Sequence, residues 1–246
     1  MSFYSKIKNL AIALIPRSVL FNYELVFRYP LYLKHKGDKY QCSVCGSGLD
    51  SFIPIREDRM CPRCGALERH RRLFSILKNE FLRDDIKVLD FSPARALYRA
   101  MKKLNIKYIS SDLSGDFIAE VAFDIKSIDS PKENFDLIIC YHVLEHIDDD
   151  FKAISELHRV LKPGAFCIIQ TPFKDGEIYE NSSVITPEDR TKHFGQCDHL
   201  RIYSAAGLAK RLEESGFRVD VRNFDIPCEN HNALSPKETI LVCKKS

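Results

Sequence analysis

The amino-acid sequence predicts an α/β protein in which a doubly wound sheet follows a small cysteine-rich module and a few preceding helices. Two observations carry this expectation. From Lys87 onward, short apolar runs alternate with helical patterns, the texture of parallel strands joined by helical crossovers. Ahead of them stand two matched knuckles, Cys42-Ser-Val-Cys45-Gly46 and Cys61-Pro-Arg-Cys64-Gly65.

A four-thiolate zinc site needs two ligand pairs on tight turns, and a glycine after each second cysteine lets the turn close. The fifteen residues between the pairs (46–60) suit a small zinc ribbon, so Cys42, Cys45, Cys61 and Cys64 are the expected ligands of a structural Zn2+. Four thiolates leave no open coordination position, and chemistry must be sought elsewhere in the chain.

At 246 residues, 45% of them apolar, the chain is long enough for one full-size domain and an accessory module. A net charge of +3 is too slight to imply a nucleic-acid partner by itself. Five further cysteines, Cys140, Cys167, Cys197, Cys228 and Cys243, are scattered and odd in number, which argues against a disulfide framework and for a reducing compartment, by default the cytoplasm.

Residues 1 to about 40 read as one or two helices ended near Pro16 and Pro30, with Tyr23, Phe27, Tyr29 and Tyr32 expected to pack. Within them, Phe3, Ile7, Leu10 and Leu14 form an amphipathic stripe with Lys6 and Lys8 between. The run Leu10–Ile15 is too short to span a bilayer. Packing on the rest of the protein or on a second subunit is the plainer reading of the stripe, and peripheral membrane contact the sharper one.

The cysteine module occupies about 41–66, and the domain after it runs from 67 to 246. A helix is expected from Ala66 through Leu73, Phe74, Leu77 and Phe81. Around its start lie Arg63, Arg69, Arg71 and Arg72, read either as an RNA or phosphate contact or, more simply, as a solvated helix face. Strands follow at Lys87–Phe91, Lys107–Asp112, Ile118–Phe123, Phe135–Cys140 and Ala165–Gln170, with helices over Ala94–Lys103 and about Asp149–Leu161. Residues 171 to about 202 form a polar insertion, and loops of that length are usually lids or binding segments. A helix over Ser204–Glu214 and strands near Phe217–Phe224 and Thr239–Cys243 close the chain.

Ligands of open α/β sheets sit beyond the carboxyl ends of the strands, where strand order reverses. The residues there are Asp90-Phe91-Ser92-Pro93, Asp112, Asp124-Ile125 and Tyr141-His142-Val-Leu-Glu145-His146. An acid after the second strand can accept both ribose hydroxyls and Asp124 an adenine amine, which suits an adenosine-bearing cofactor.

The run from Phe135 to Ile147, followed by Glu156-Leu-His-Arg-Val-Leu-Lys-Pro-Gly164, resembles the class I S-adenosylmethionine-dependent methyltransferases of the type 11 group over about residues 86–243. The cysteine module and His193-Phe-Gly-Gln-Cys-Asp-His-Leu-Arg-Ile-Tyr203 resemble a subfamily with its own zinc module. The resemblance implies a Rossmann-like seven-stranded sheet, its last strand antiparallel, with S-adenosylmethionine as cofactor. By position, Asp90, Phe91, Ser92 and Pro93 would line the methionine part of the cofactor, Asp112 the ribose, Asp124 and Ile125 the adenine, and Tyr141 with His142 the sulfonium side, with Leu113 also among the cofactor-binding residues. One departure stands out: the family's glycine-rich first loop is here Phe91-Ser-Pro-Ala-Arg95, without glycine.

Methyl transfer is an in-line displacement, and a hydroxyl acceptor needs a base, for which histidine is the natural group near neutral pH. His142, His193 and His199 are the expected catalytic histidines, with His146 a further candidate and Glu145 and Asp198 orienting or alternative groups. Gln196, Asp198, Arg201 and Tyr203 are expected to bind substrate. Three functions compete: methylation of a hydroxyl on a small molecule or glycan, methylation of RNA gripped by the arginines and the ribbon, and a non-catalytic zinc-stabilised scaffold whose altered first loop has lost the cofactor.

Overall fold

The computed structural model describes residues 17–226, 229–235 and 237–246. The amphipathic stripe expected within residues 1–15 lies outside them. The chain divides into two compact units. One is built on residues up to Ser75 together with Arg95–Leu97 and a segment ending at Leu234; the other comprises Ile76–Ala94, Tyr98–Ile226 and Ser235–Ser246.

The first unit opens with helices α1 (Arg17–Phe27) and α2 (Tyr29–Leu33). Pro30 sits in the first turn of α2 rather than ending a helix, because the N–H it lacks has no intrahelical acceptor there. Tyr23, Phe27 and Tyr29 are exposed, against the expectation that they pack. Two short antiparallel pairs follow: β1 (Lys36–Gln41) with β2 (Gly48–Leu49), and β3 (Ile53–Ile55) with β4 (Asp58–Met60). Strands β1 and β2 flank the first cysteine knuckle, and the β3–β4 pair leads into the second. The Asp58 carboxylate accepts from the N–H of Glu68 and so caps α3 (Glu68–Ile76). A short π-helical turn, Leu77–Phe81, continues α3, a local change of winding that the apolar periodicity did not reveal.

The second unit carries a six-stranded sheet in the order β11-β12-β8-β7-β5-β6. Its strands are β5 (Lys87–Phe91), β6 (Lys107–Ser111), β7 (Phe135–Tyr141), β8 (Leu161–Gln170), β11 (Phe217–Asp225) and β12 (Lys237–Lys245). Strands β6, β5, β7 and β8 are mutually parallel, whereas β12 runs antiparallel to both β8 and β11. Helices α4 (Arg95–Met101) and α5 (Asp150–Val160) form the crossovers, and α7 (Ala205–Glu214), capped by Ser204, precedes β11. A core of Leu89, Ile138, Ile154, Leu157, Leu208 and Leu241 lies against the sheet.

Among the described residues this sheet has six strands, not the expected seven. Residues 118–123 meet β6 through a single parallel bridge, Ser111 to Val121. The N–H groups of Glu120 and Val121 both donate to Ser110 O, Glu120 sharing its donor with the Ser110 hydroxyl, and the Phe123 N–H goes to the Ser111 hydroxyl, so the bonds do not alternate as in a regular ladder.

The insertion after β8 has structure of its own. Strands β9 (Tyr179–Glu180) and β10 (Arg201–Ile202) pair antiparallel, and α6 (Pro187–Phe194) lies between them, capped by Thr186. Val184, Phe194 and Ile202 form its small core. Among the described residues no helix is long and apolar enough to cross a membrane.

Candidate functional site

The two cysteine knuckles are built alike. In the first, the N–H of Cys42 donates to Ser47 O and that of Gly46 to Cys42 O; in the second, Cys61 donates to Ala66 O and Gly65 to Cys61 O. Gly46 and Gly65 take φ of +71° and +83°, the left-handed turn that aims both sulfurs of each pair inward. All four Sγ atoms lie within 4.8 Å of one another. Cys42 and Cys64 are separated by 3.7 Å, Cys45 and Cys61 by 3.8 Å. A tetrahedron of sulfurs about 2.3 Å from a central Zn2+ has edges of about 3.8 Å, so the donor set fits that ion. Hydrogen bonding among the four sulfurs pulls the Cys45 and Cys61 thiols down and pushes Cys42 and Cys64 up.

The arginines around this module turn their charge inward. Arg63 donates to Leu25 O and lies over the rings of Tyr29 and Tyr32. Arg69 pairs with Asp58. Arg71, fully buried, donates to the carbonyls of Arg59, Ala66, Asn232 and Ala233 and packs on Phe52. Arg72 is also buried.

In the second unit, strand order reverses between β5 and β7, and the strand ends there are in register: Phe91 with Ser111, Phe91 with Cys140, Tyr141 with Gln170. Ser92, Asp112, His142 and Thr171 therefore follow four neighbouring carboxyl ends. Ser92 and His142 both take positive φ, +48° and +55°, although neither is glycine. Such backbone costs on the order of 1 kcal/mol or more per residue and persists only where the surroundings impose it. The Ser92 N–H donates to Ser111 O and the His142 N–H to Gln170 O, which hold the two turns against adjacent strands. The glycine-free first loop thus adopts the left-handed turn that glycine would have made easy.

Polar groups at this rim are buried without partners. Among the described residues, His142 Nε2, both Glu145 oxygens, Gln170 Oε1 and Thr171 Oγ1 find no hydrogen bond, while Glu145 is only 1% exposed. Leaving buried polar atoms unmatched costs about 1–3 kcal/mol each, more for a charge, so the rim is poised for a polar ligand. His142 Nδ1 lies 3.3 Å from Glu145 Oε1. His146 Nδ1 meets Asp198 Oδ2 at 3.1 Å, and the rings of His146 and His199 stack edge to face, 4.7 Å between centroids. Burial, and then His146 beside it, hold the His199 imidazole below its ordinary pKa.

The remaining expected residues divide. Asp112 is buried and accepts from Ser92 Oγ, Ser114 Oγ and the Phe117 N–H, which fixes its carboxylate at the rim. Asp124 accepts from the Lys126 N–H as a turn residue. Pro93 is buried and Leu113 exposed. Tyr141 is buried, its hydroxyl 3.4 Å from Glu238.

Several expectations need correction. Phe91 and Ile125 belong to the hydrophobic core rather than lining a cofactor, Phe91 because alternation along β5 turns it to the face opposite Asp90. Asp90 is buried beneath Tyr108, whose hydroxyl donates to it, and burial pushes its pKa up to about 7. Arg201 and Tyr203 are buried: Arg201 donates to the carbonyls of Leu144, Ile147 and Asp148, and Tyr203 to Asp150. They position the turn Leu144–His146 instead of meeting substrate. Gln196 is exposed. His193 bonds Tyr179 OH at 2.8 Å and has no partner in the His142–Glu145 group. Gln170 and Thr171 escaped sequence reasoning; the signal was two polar residues ending the apolar strand β8.

A family profile described as "Methyltransferase domain" matches residues 66–221. The chain belongs to the methyltransferase-domain family. A probable S-adenosylmethionine-dependent methyltransferase of Mycolicibacterium smegmatis is 32% identical over 92 residues, 37% of this chain and 31% of that protein. The chain thus spans about a third of the length of the curated relative it matches. Among solved structures, the YcgJ protein of Bacillus subtilis superimposes with a TM-score of 0.51 at 16% identity, covering 72% of this chain and 99% of that one. The [4+2]-cyclase SpnF gives a TM-score of 0.51 at 18% identity over 83% and 90%. At these identities the likeness is one of fold, and a cyclase among the matches means that the reaction must be argued from the rim.

Proposed function

We propose that this protein is an S-adenosylmethionine-dependent methyltransferase acting on a hydroxyl of a small molecule or glycan, with a structural Zn2+ held by Cys42, Cys45, Cys61 and Cys64. The observation that carries the reading is the rim between β5 and β7: two non-glycine residues in left-handed backbone and a set of buried, unmatched polar atoms at aligned strand ends. The Mycolicibacterium smegmatis relative, described as S-adenosylmethionine-dependent, supports the same cofactor.

When bound, the cofactor supplies a methyl group on a positively charged sulfur. Asp112, held by Ser92 and Ser114, presents acceptor oxygens suited to ribose hydroxyls. His142 Nε2 is the free nitrogen of an imidazole whose Nδ1 faces the buried Glu145, an arrangement in which Glu145 orients the ring and stabilises the imidazolium. His142 Nε2 would take the proton of a hydroxyl acceptor as that oxygen is methylated. Tyr141, Gln170 and Thr171 stand at the same aligned strand ends.

A second reading, methylation of RNA, rested on the arginines near the cysteine module. The internal engagement of Arg63, Arg69 and Arg71 favours the small acceptor. Incubation with methyl-labelled S-adenosylmethionine and, separately, a filtered small-molecule extract or an RNA pool tests the choice. Label in the small-molecule fraction alone is expected; label in RNA alone, weakening steeply with salt, overturns it.

A further inference from the structure

Beside His142, the turn after β7 and the loop before β10 bring together three groups of metal-binding type. One ligand atom each from Glu145, His146 and His199 lies within 4.8 Å of the others. Glu145 and His146 stand on the turn Leu144–His146, and the backbone bond from Leu200 N to Glu145 O, 2.8 Å, fixes the loop carrying His199 against it.

Two independent features point to a cation. The Glu145 carboxylate is 1% exposed and neither oxygen accepts a hydrogen bond, so a buried carboxylate, with His142 Nδ1 3.3 Å away, still has acceptor capacity to offer a cation. Each imidazole also has its Nδ1 engaged, His146 with the Asp198 carboxylate at 3.1 Å and His199 with the Phe194 carbonyl at 3.2 Å. Metal-bound histidines are characteristically held in this way, one ring nitrogen on a carboxylate or backbone carbonyl, which leaves the other, here Nε2, as the nitrogen able to ligate.

We infer that Glu145, His146 and His199 form a second metal site, distinct from the cysteine cluster, for a first-row divalent transition metal. Two imidazoles and one carboxylate suit Zn2+, Fe2+ or Co2+ better than Mg2+ or Ca2+, which prefer all-oxygen sets. Three protein ligands leave positions open, as in catalytic rather than structural sites. The carboxylate has oxygens enough to face His142 and the ion together. The site rests on its own donor set. Its use, to bind the acceptor through an oxygen and ease loss of that oxygen's proton, rests on the methyltransferase reading.

The test is titration of Co2+ into the zinc-replete full-length protein, followed by calorimetry and visible absorption, with S-adenosylhomocysteine titrated in parallel. One further equivalent of Co2+ is expected, with weak d–d bands and no intense thiolate charge-transfer band. Affinity should fall at least tenfold in His146→Ala, at the half-buried position, and in Glu145→Gln, and stay unchanged in the control His231→Ala. No uptake beyond the cysteine site, or equal uptake in wild type and His146→Ala, overturns the inference. Should Glu145→Gln fail to fold, His146→Ala decides alone. Cobalt uptake without S-adenosylhomocysteine binding would uphold the metal site and sink the methyltransferase reading; the reverse would do the opposite.

Discussion

Gly46 and Gly65 turn the two cysteine knuckles at φ of +71° and +83°, while Ser92 and His142 turn the ends of β5 and β7 at +48° and +55°. The backbone problem is the same and the residues are not. In the knuckles only the sulfurs matter, so the residue behind them can be the one that adopts the left-handed turn without strain. At the sheet rim the side chains of the turn residues are themselves used, since Ser92 Oγ holds Asp112 and His142 turns Nδ1 to Glu145 while its Nε2 is unpartnered. Strain tolerated where glycine would remove it marks the place where a side chain is needed.

The comparison is tested most severely by depriving the first region of its proposed metal. Chelation, or Cys64→Ser, should cost the cysteine module on the order of 10 kcal/mol of folding free energy, seen as protease sensitivity of residues 36–66. A module that keeps its protection without metal would show that the knuckles fold on backbone bonds alone. In the second region, His142→Gly relieves the strained backbone and should leave the melting temperature equal or higher. Methyl transfer should nevertheless fall about 100-fold or more, so stability and activity move apart. Equal activity in this variant would remove His142 from the chemistry.

Beneath the same rim, Asp90 supplies a pH signature. Its pKa is about 7 in the folded protein against an ordinary value of 3.8, so between these values the folded state keeps a proton that the unfolded chain has released. Stability should therefore fall as pH rises from about 4 to about 7 and level off above, by an amount on the order of a few kcal/mol. The difference in unfolding free energy between wild type and Asp90→Asn across that range isolates the effect; a difference independent of pH would contradict it. Smallest in size is the exchange of turn residues: Gly46→Ala should destabilise by about 1–2 kcal/mol, read from denaturant midpoints. A neutral Gly46→Ala would mean that the knuckle does not depend on its left-handed turn.

Both regions were visible in the sequence to different depths. The knuckles were legible because ligand spacing and the following glycine are local. The sheet was legible from its apolar runs, but the segment 118–123 misled, since an apolar stretch does not reveal that Ser110 and Ser111 will take its N–H groups. Asp112 and His142 could be placed at the rim because strand ends are readable. Arg201 and Tyr203 could not be assigned correctly, because their partners, Leu144 to Asp150, lie more than fifty residues away and only the fold brings them together. The same long-range closure assembles Glu145, His146 and His199, of which only the first two are neighbours in sequence.

The central claim is that the left-handed ends of β5 and β7 cradle an adenosine-bearing sulfonium. Calorimetric titration of S-adenosylhomocysteine into the full-length protein, and into Asp112→Ala with its melting curve checked, tests it most directly. One molecule bound per chain, with affinity at least tenfold weaker in the folded variant, is the predicted result. No binding to the wild type, or the same affinity in both proteins, would contradict the account.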